Sequence, residues 1–207
     1  IYQLTQVVES RMAAAAQAGR LDRLPGITAF VSIVDATVQA DDVYRLLFAR
    51  LPAGPHELVL FDVNRAESLV GLITPRIEQA ARTIEQAPPL RFPLTRIGNR
   101  RADSAEVVAW VRAADSTTSV AEPLGLAWPP GLLSLGHLAL VLPPDDPLYG
   151  LAPALPPGRA FTLGGQASRS ESGALLVSAA TLARPRSNPF FAVVVDRIDR
   201  ATADAAR

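Results

Sequence analysis

The sequence predicts an α/β fold, a parallel sheet with helices packed on its faces. Two apolar runs rich in β-branched residues, 27–34 (ITAFVSIV) and 56–63 (HELVLFDV), read as strands buried on both faces. The stretch 41–51 (DDVYRLLFARL) between them reads as a helix, so residues 27–63 form one βαβ unit with a right-handed crossover. With 207 residues the chain has room for one ordinary domain and its core.

The remaining elements follow in order. Residues 2–23 read as a helix, with strong helix formers from Ala13 to Ala16 and Leu21 and Leu24 at its end, before Pro25-Gly26 stops it. Asp41 and Asp42 are placed to cap the helix 41–51 and to favour its N-terminal dipole. Pro52 to Pro55 is a turn. A further helix is expected over 68–86, closed by Pro88-Pro89. Residues 90–99 and 106–112 alternate in polarity about the polar turn Arg100 to Ser104, the pattern of an antiparallel hairpin or of two edge strands. Pro93 lacks a ladder N–H and favours an edge. The rigid loop Trp128-Pro129-Pro130-Gly131 leads into the apolar segment 132–142, and 143–150 (PPDDPLYG) is dense in turn formers. Residues 151–173 read as loop and 188–200 as a closing helix. No internal repeat occurs.

Composition removes several function classes. Hydrophobic residues make up 49% and charged residues 19%, a globular balance. Zero formal net charge and the lack of any like-charge block argue against nucleic acid and against a membrane-surface patch. The absence of cysteine excludes disulfides, thiolate nucleophiles and cysteine-bound zinc, and leaves the redox compartment open. No apolar run approaches the roughly 18 residues that span a bilayer. All twenty basic residues are arginine, which with heavy alanine and proline use suggests a GC-rich bacterial genome. The chain begins at Ile1 inside an expected helix, so a preceding segment, with any targeting signal, is expected to be missing and the compartment is unassigned.

Only two histidines can serve as bases. His56 precedes a strand, the wrong end for a site in an open α/β sheet, and reads as a half-exposed turn residue. His137 sits in an apolar segment beside Gly136, where an imidazole needs a partner; it is either a hydrogen-bonded core histidine or a general base. Asp35 directly follows the first buried strand, at the rim where catalytic groups collect, and there an acid can orient an imidazole. Its plainer role is a turn or cap, which Asp41 and Asp42 fill better. Asp62, at the end of the next strand, is the rival acid; its plainer role is a turn bonded to Asn64. Asp145 and Asp146 belong to a turn. Two distant histidines support no metal site, Gly164-Gly165 alone makes no phosphate loop, and no cofactor is called for.

Asp followed by His is the chain order of the last two triad members in α/β-hydrolases. The segment 26–38 (GITAFVSIVDATV) resembles that family's acid strand. The segment 134–140 (SLGHLAL) with PPDDPLYG behind it resembles the histidine loop of bacterial esterase- or lysophospholipase-like members. HELVLFDVNR and Asn188-Pro189-Phe190-Phe191 look similar to the same group. The resemblance implies a partial α/β-hydrolase fold over residues 1–207, with 64–130 as an inserted helix and hairpin. It implies Asp35 as acid, His137 as base and a small ester or amide as substrate. No G-x-S-x-G occurs: GLLSLG around Ser134 has the wrong spacing, so the nucleophile elbow is expected upstream of Ile1. Trp110 and Trp128 are expected either to wall an acyl pocket or to pack in the core. The alternative is a non-catalytic α/β binding domain or degenerate hydrolase relative.

Overall fold

The two apolar runs form the parallel pair that their composition requires. β1 (Thr28–Ser32) lies beside β2 (Glu57–Phe61), with Thr28 opposite Glu57 and Ser32 opposite Phe61. The structure is a computed structural model that describes residues 2–35, 37–67, 71, 73–135, 142–152, 166–168, 183–185 and 187–205. Ahead of β1 runs α1 (Tyr2–Gln17), shorter than the expected 2–23. Gly19, at φ 62°, turns the chain back so that its own N–H reaches the Ala16 carbonyl and that of Arg20 the Ala15 carbonyl. That pair of bonds closes a helix on a left-handed residue, which glycine adopts without a side-chain clash. A 3-10 turn, Leu21–Arg23, follows.

Between β1 and β2 the chain makes α2 (Ala40–Asp42), a wider π turn (Val43–Leu47) and a 3-10 turn (Phe48–Arg50). Asp41 and Asp42 stand in the first turn, where their charge suits the dipole. Neither is the cap: that position is Gln39, which makes no side-chain bond.

α3 (Pro75–Glu85) begins later than the expected 68, at a proline whose missing N–H and fixed φ suit a first helical position. Its Ile77, Ala80, Ala81 and Ile84 share one buried face. β3 (Leu94–Asn99) then pairs parallel with β2 and antiparallel with β4 (Glu106–Arg112). The hairpin is as the alternation predicts, but β3 is interior to the sheet, not an edge. Pro93 stands just outside it and offers its carbonyl to the Leu58 N–H at 3.3 Å, so no ladder donor is lost.

The strand at the outer edge is β5 (Ser119–Ala127), antiparallel to β4 and unassigned by the sequence pattern. Its register jumps between the Val107–Leu126 and Val108–Pro123 pairs, with Gly125 at φ 66° in the bulge. The order β1-β2-β3-β4-β5 makes one mixed sheet. β3, β4 and β5, all from within residues 64–130, thus extend the β1–β2 sheet. Within the stretch expected to be loop, β6 (Gln166–Ser168) pairs antiparallel with β7 (Ala183–Pro185). α4 (Phe191–Ala205) closes the described chain, as expected.

Both sheet faces are covered. On one, Val31, Leu58, Leu60 and Leu94 pack with Phe48, Ile77, Ala81 and Ile84. On the other, Val59, Phe61, Ile97 and Ala109 pack with Trp128, Leu135, Phe190 and Val193. Phe190 stacks on Phe61 at 6.1 Å and meets Trp128 edge-on at 4.8 Å.

Candidate functional site at the carboxyl rim of the sheet

β1, β2 and β3 end at one edge, the edge where open α/β sheets gather their functional groups. Asp35 lies there, three residues beyond Ser32. Its Oδ1 accepts from the Thr37 N–H at 2.8 Å and the Val38 N–H at 3.0 Å, which fixes the turn after β1. No donor reaches Oδ2 among the described residues. Asp35 thus fills the turn role after β1, and does it with one oxygen.

Asp62 directly follows β2 at the same edge and is only 2% exposed. Both of its oxygens are taken. The Arg65 guanidinium grips it edge-on, Nε to Oδ2 at 3.2 Å and Nη2 to Oδ1 at 3.1 Å. Arg96 Nη1 donates to Oδ2 at 2.9 Å, and the Val63 N–H to Oδ1 at 2.8 Å. The expected bond to Asn64 is not formed. Arg65 also holds Glu78 at 2.9 Å and Arg96 holds Glu85 at 3.1 Å. Burial works against the Arg65 charge, but the Asp62 and Glu78 carboxylates outweigh it and hold its pKa above the ordinary value.

The next residue ties the rim together. The Asn64 backbone N–H donates to the Leu133 carbonyl at 2.6 Å, and its Nδ2 to the Leu132 carbonyl at 3.0 Å. Its Oδ1 accepts from Asn99 Nδ2 at 3.0 Å and from the Ala66 N–H at 3.1 Å. Asn99, at the end of β3, also accepts from the Arg65 N–H at 2.8 Å and donates to the Ser104 carbonyl at 2.7 Å. Glu67 adds a bond to the Gly131 N–H at 3.1 Å. The chain leaving β5 is thereby brought back to the ends of β2 and β3, where Leu132, Leu133 and Leu135 are buried. Ser134 belongs to this irregular segment.

His137 lies outside the described residues, as do Gly136 and Gly164-Gly165. The described chain stops at Leu135 on the rim and resumes at Leu142, whose carbonyl accepts from the Asn188 N–H at 3.0 Å. His56 is at the amino end of β2, as expected, but it is buried, 4% exposed, not half-exposed. Its Nδ1 accepts from the Ile27 N–H at 3.2 Å and its ring meets Phe92 edge-on, so it joins two strand starts as a neutral imidazole. Burial lowers its pKa. Asp146 makes the expected turn, accepting from the Leu148 and Tyr149 N–H groups at 2.9 and 2.8 Å.

Trp128 and Trp110 cannot wall one pocket. Trp128 packs in the core with Phe190, while Trp110 lies on the opposite face of the sheet beneath the Arg96 guanidinium at 5.7 Å. The rim residues that the pattern of apolar runs does not reveal are Asn64, Arg65, Arg96 and Asn99. Among the described residues no group of His, Asp and Glu side chains could hold a metal ion, and no helix is long and apolar enough to cross a membrane. Comparison of the chain with protein-family models, with curated proteins and with solved structures finds no match.

Proposed function

We propose that this chain is the acid- and base-bearing part of a serine hydrolase of the α/β-hydrolase type, acting on a carboxylic ester or amide. Asp35 is the acid and His137 the base in this reading. One observation carries it: Asn64 holds the Leu132 and Leu133 carbonyls, so the chain enters the His137 segment from the sheet edge that bears Asp35. Two residues of extended chain reach about 7 Å. Asp62 is disfavoured as the acid because arginines occupy both its oxygens, whereas Asp35 keeps Oδ2 without a donor among the described residues.

The chemistry requires a serine from chain upstream of Ile1. His137 would take its proton as the hydroxyl attacks the carbonyl, and would pass that proton to the departing alcohol or amine. Water, activated the same way, would release the carboxylic acid and restore the serine. Asp35 would orient the imidazole and stabilise its charged form. Backbone N–H groups at the nucleophile turn would hold the oxyanion. A specific observation favours a second reading, a non-catalytic domain: Asp35 already has a complete structural use in its Thr37 and Val38 bonds.

The product of the complete gene separates the two. The hydrolase reading expects covalent labelling by a fluorophosphonate, abolished by His137→Ala and slowed about 10⁴-fold by Asp35→Asn, as when a triad loses its orienting acid. Full labelling of His137→Ala would remove that residue from the mechanism.

A further inference from the structure

Beside the rim, a cleft of about 220 Å³ opens between the carboxyl end of α3 and the face of β3, β4 and β5. Leu60, Ile84 and Leu94 supply apolar lining, Trp110 an indole, and Arg96, Arg112, Glu85 and Ser119 the polar groups. The two arginines differ in kind. Arg96 is neutralised by Asp62 and Glu85. Arg112 is 4% exposed and has no carboxylate among the described residues. Its Nη1 donates to the Glu85 carbonyl at 3.2 Å and the Ala87 carbonyl at 3.0 Å, at the end of α3, where the helix offers only a partial negative charge. Nη2 is enclosed and meets no acceptor.

A buried guanidinium without a counter-ion is costly, and buried charges are ordinarily paired. Burial holds the Arg112 pKa below its ordinary value, with Tyr44 offsetting part of that. The molecule itself shows what is wanting. Arg65 holds the Asp62 carboxylate through its Nε–Nη2 edge, and on Arg112 that same edge has no carboxylate among the described residues.

We propose that this cleft binds a small aliphatic monocarboxylate, whose carboxylate pairs with Arg112 while its tail lies on Leu60, Ile84, Leu94 and Trp110. One uncompensated cation matches a monoanion; a phosphate dianion would meet Glu85 with no second free arginine. The volume holds roughly seven groups of water size, which suits an acid of hexanoate length. Ser119 stands on β5 directly opposite Arg112 and guards the outer side. The site adjoins the rim through Arg96, which also bonds Asp62, but it does not depend on the hydrolase reading.

Titration of this chain with sodium hexanoate, followed by tryptophan fluorescence, tests the proposal. Saturable quenching is expected, lost in Trp110→Phe because Trp128 packs on the opposite face of the sheet. Hexanol, with the same tail and no charge, should bind at least tenfold more weakly, and Arg112→Met should weaken hexanoate at least tenfold. Arg112 also caps α3, so a second variant leaves it in place: Ser119→Phe, on an exposed position, should block the cleft and abolish quenching with unchanged unfolding. No saturable response to hexanoate in the wild-type chain would overturn the proposal. So would hexanoate binding that survives both Arg112→Met and Ser119→Phe, or equal affinity for hexanol.

Discussion

Asp62→Asn tests whether the acid after β2 is a lock or a catalyst. The substitution is isosteric and leaves one oxygen for the Val63 N–H, now at 2.8 Å. It removes the charge from three bonds, two to Arg65 at 3.1 and 3.2 Å and one to Arg96 at 2.9 Å, and turns an amide donor toward guanidinium donors. Charge-assisted bonds are worth about 1.5–3 kcal/mol each, so a simple sum would reach about 5–9 kcal/mol. That sum overshoots. Arg65 keeps Glu78 and Arg96 keeps Glu85, and their side chains are 28% and 24% exposed, so water can reach both stranded cations. The expected loss is therefore about 3 kcal/mol, the low end for breaking a buried pair. Urea unfolding of wild type and variant measures it, at equal m-value. A loss under about 1 kcal/mol would refute the lock. Unchanged stability with a hundredfold fall in fluorophosphonate labelling of the complete chain would make Asp62, not Asp35, the acid.

Two further predictions concern the frame around the rim. His56 accepts a bond at Nδ1 and is buried, so the folded chain binds its proton less readily than the unfolded one, whose ordinary value is 6.5. Its contribution is thus complete above about pH 6.5 and is lost as pH falls through the lower folded value; the slope of unfolding free energy between pH 7 and 5 should flatten in His56→Gln. An identical slope would show that His56 is already solvated in the folded state. Asn64→Ala removes the side-chain partner of the Leu132 carbonyl and of the Ala66 N–H, and one of the two acceptors of Asn99 Nδ2, and should cost about 2–3 kcal/mol. Amide exchange should then quicken at 132–135 before it does in β2; uniform change would mean that Asn64 does not anchor that segment.

The parts legible in sequence are those whose residue pattern is enforced locally. β1 and β2 are apolar on both sides because both faces are covered. The β3–β4 hairpin alternates because register with a partner demands it. β5 escaped because two extra residues, Leu124 and Gly125, break its period and solvent takes most of its side chains. Pro93 misled for a different reason: it marks the start of an interior strand, where a missing N–H costs nothing. The start of α3 is marked by Thr74-Pro75, a first-turn proline, and the end of α1 by Gly19, local signals that an apolar pattern spread over a longer stretch does not register. Asn64 and Asn99 could not be found by period at all. Their role exists only once two strand ends and the chain after β5 lie side by side.

The rim shows why two acids at one sheet edge have different prospects. Asp35 lies three residues after β1 and Asp62 directly after β2, and each accepts from the backbone that follows it. The difference lies three residues on. Position 65 is an arginine whose guanidinium reaches back to both Asp62 oxygens, and Arg96 on β3 adds a second cation from across the strand. Position 38 is Val38, whose only bond to Asp35 comes from its backbone N–H. β1 is also the last strand on its side of the described sheet, so no neighbour there supplies a partner equivalent to Arg96. A carboxylate saturated by two arginines would have to break a pair before it could orient an imidazole. A carboxylate held by one oxygen need break nothing, and that asymmetry can be read from D-x-x-R after one strand and D-x-x-V after the other.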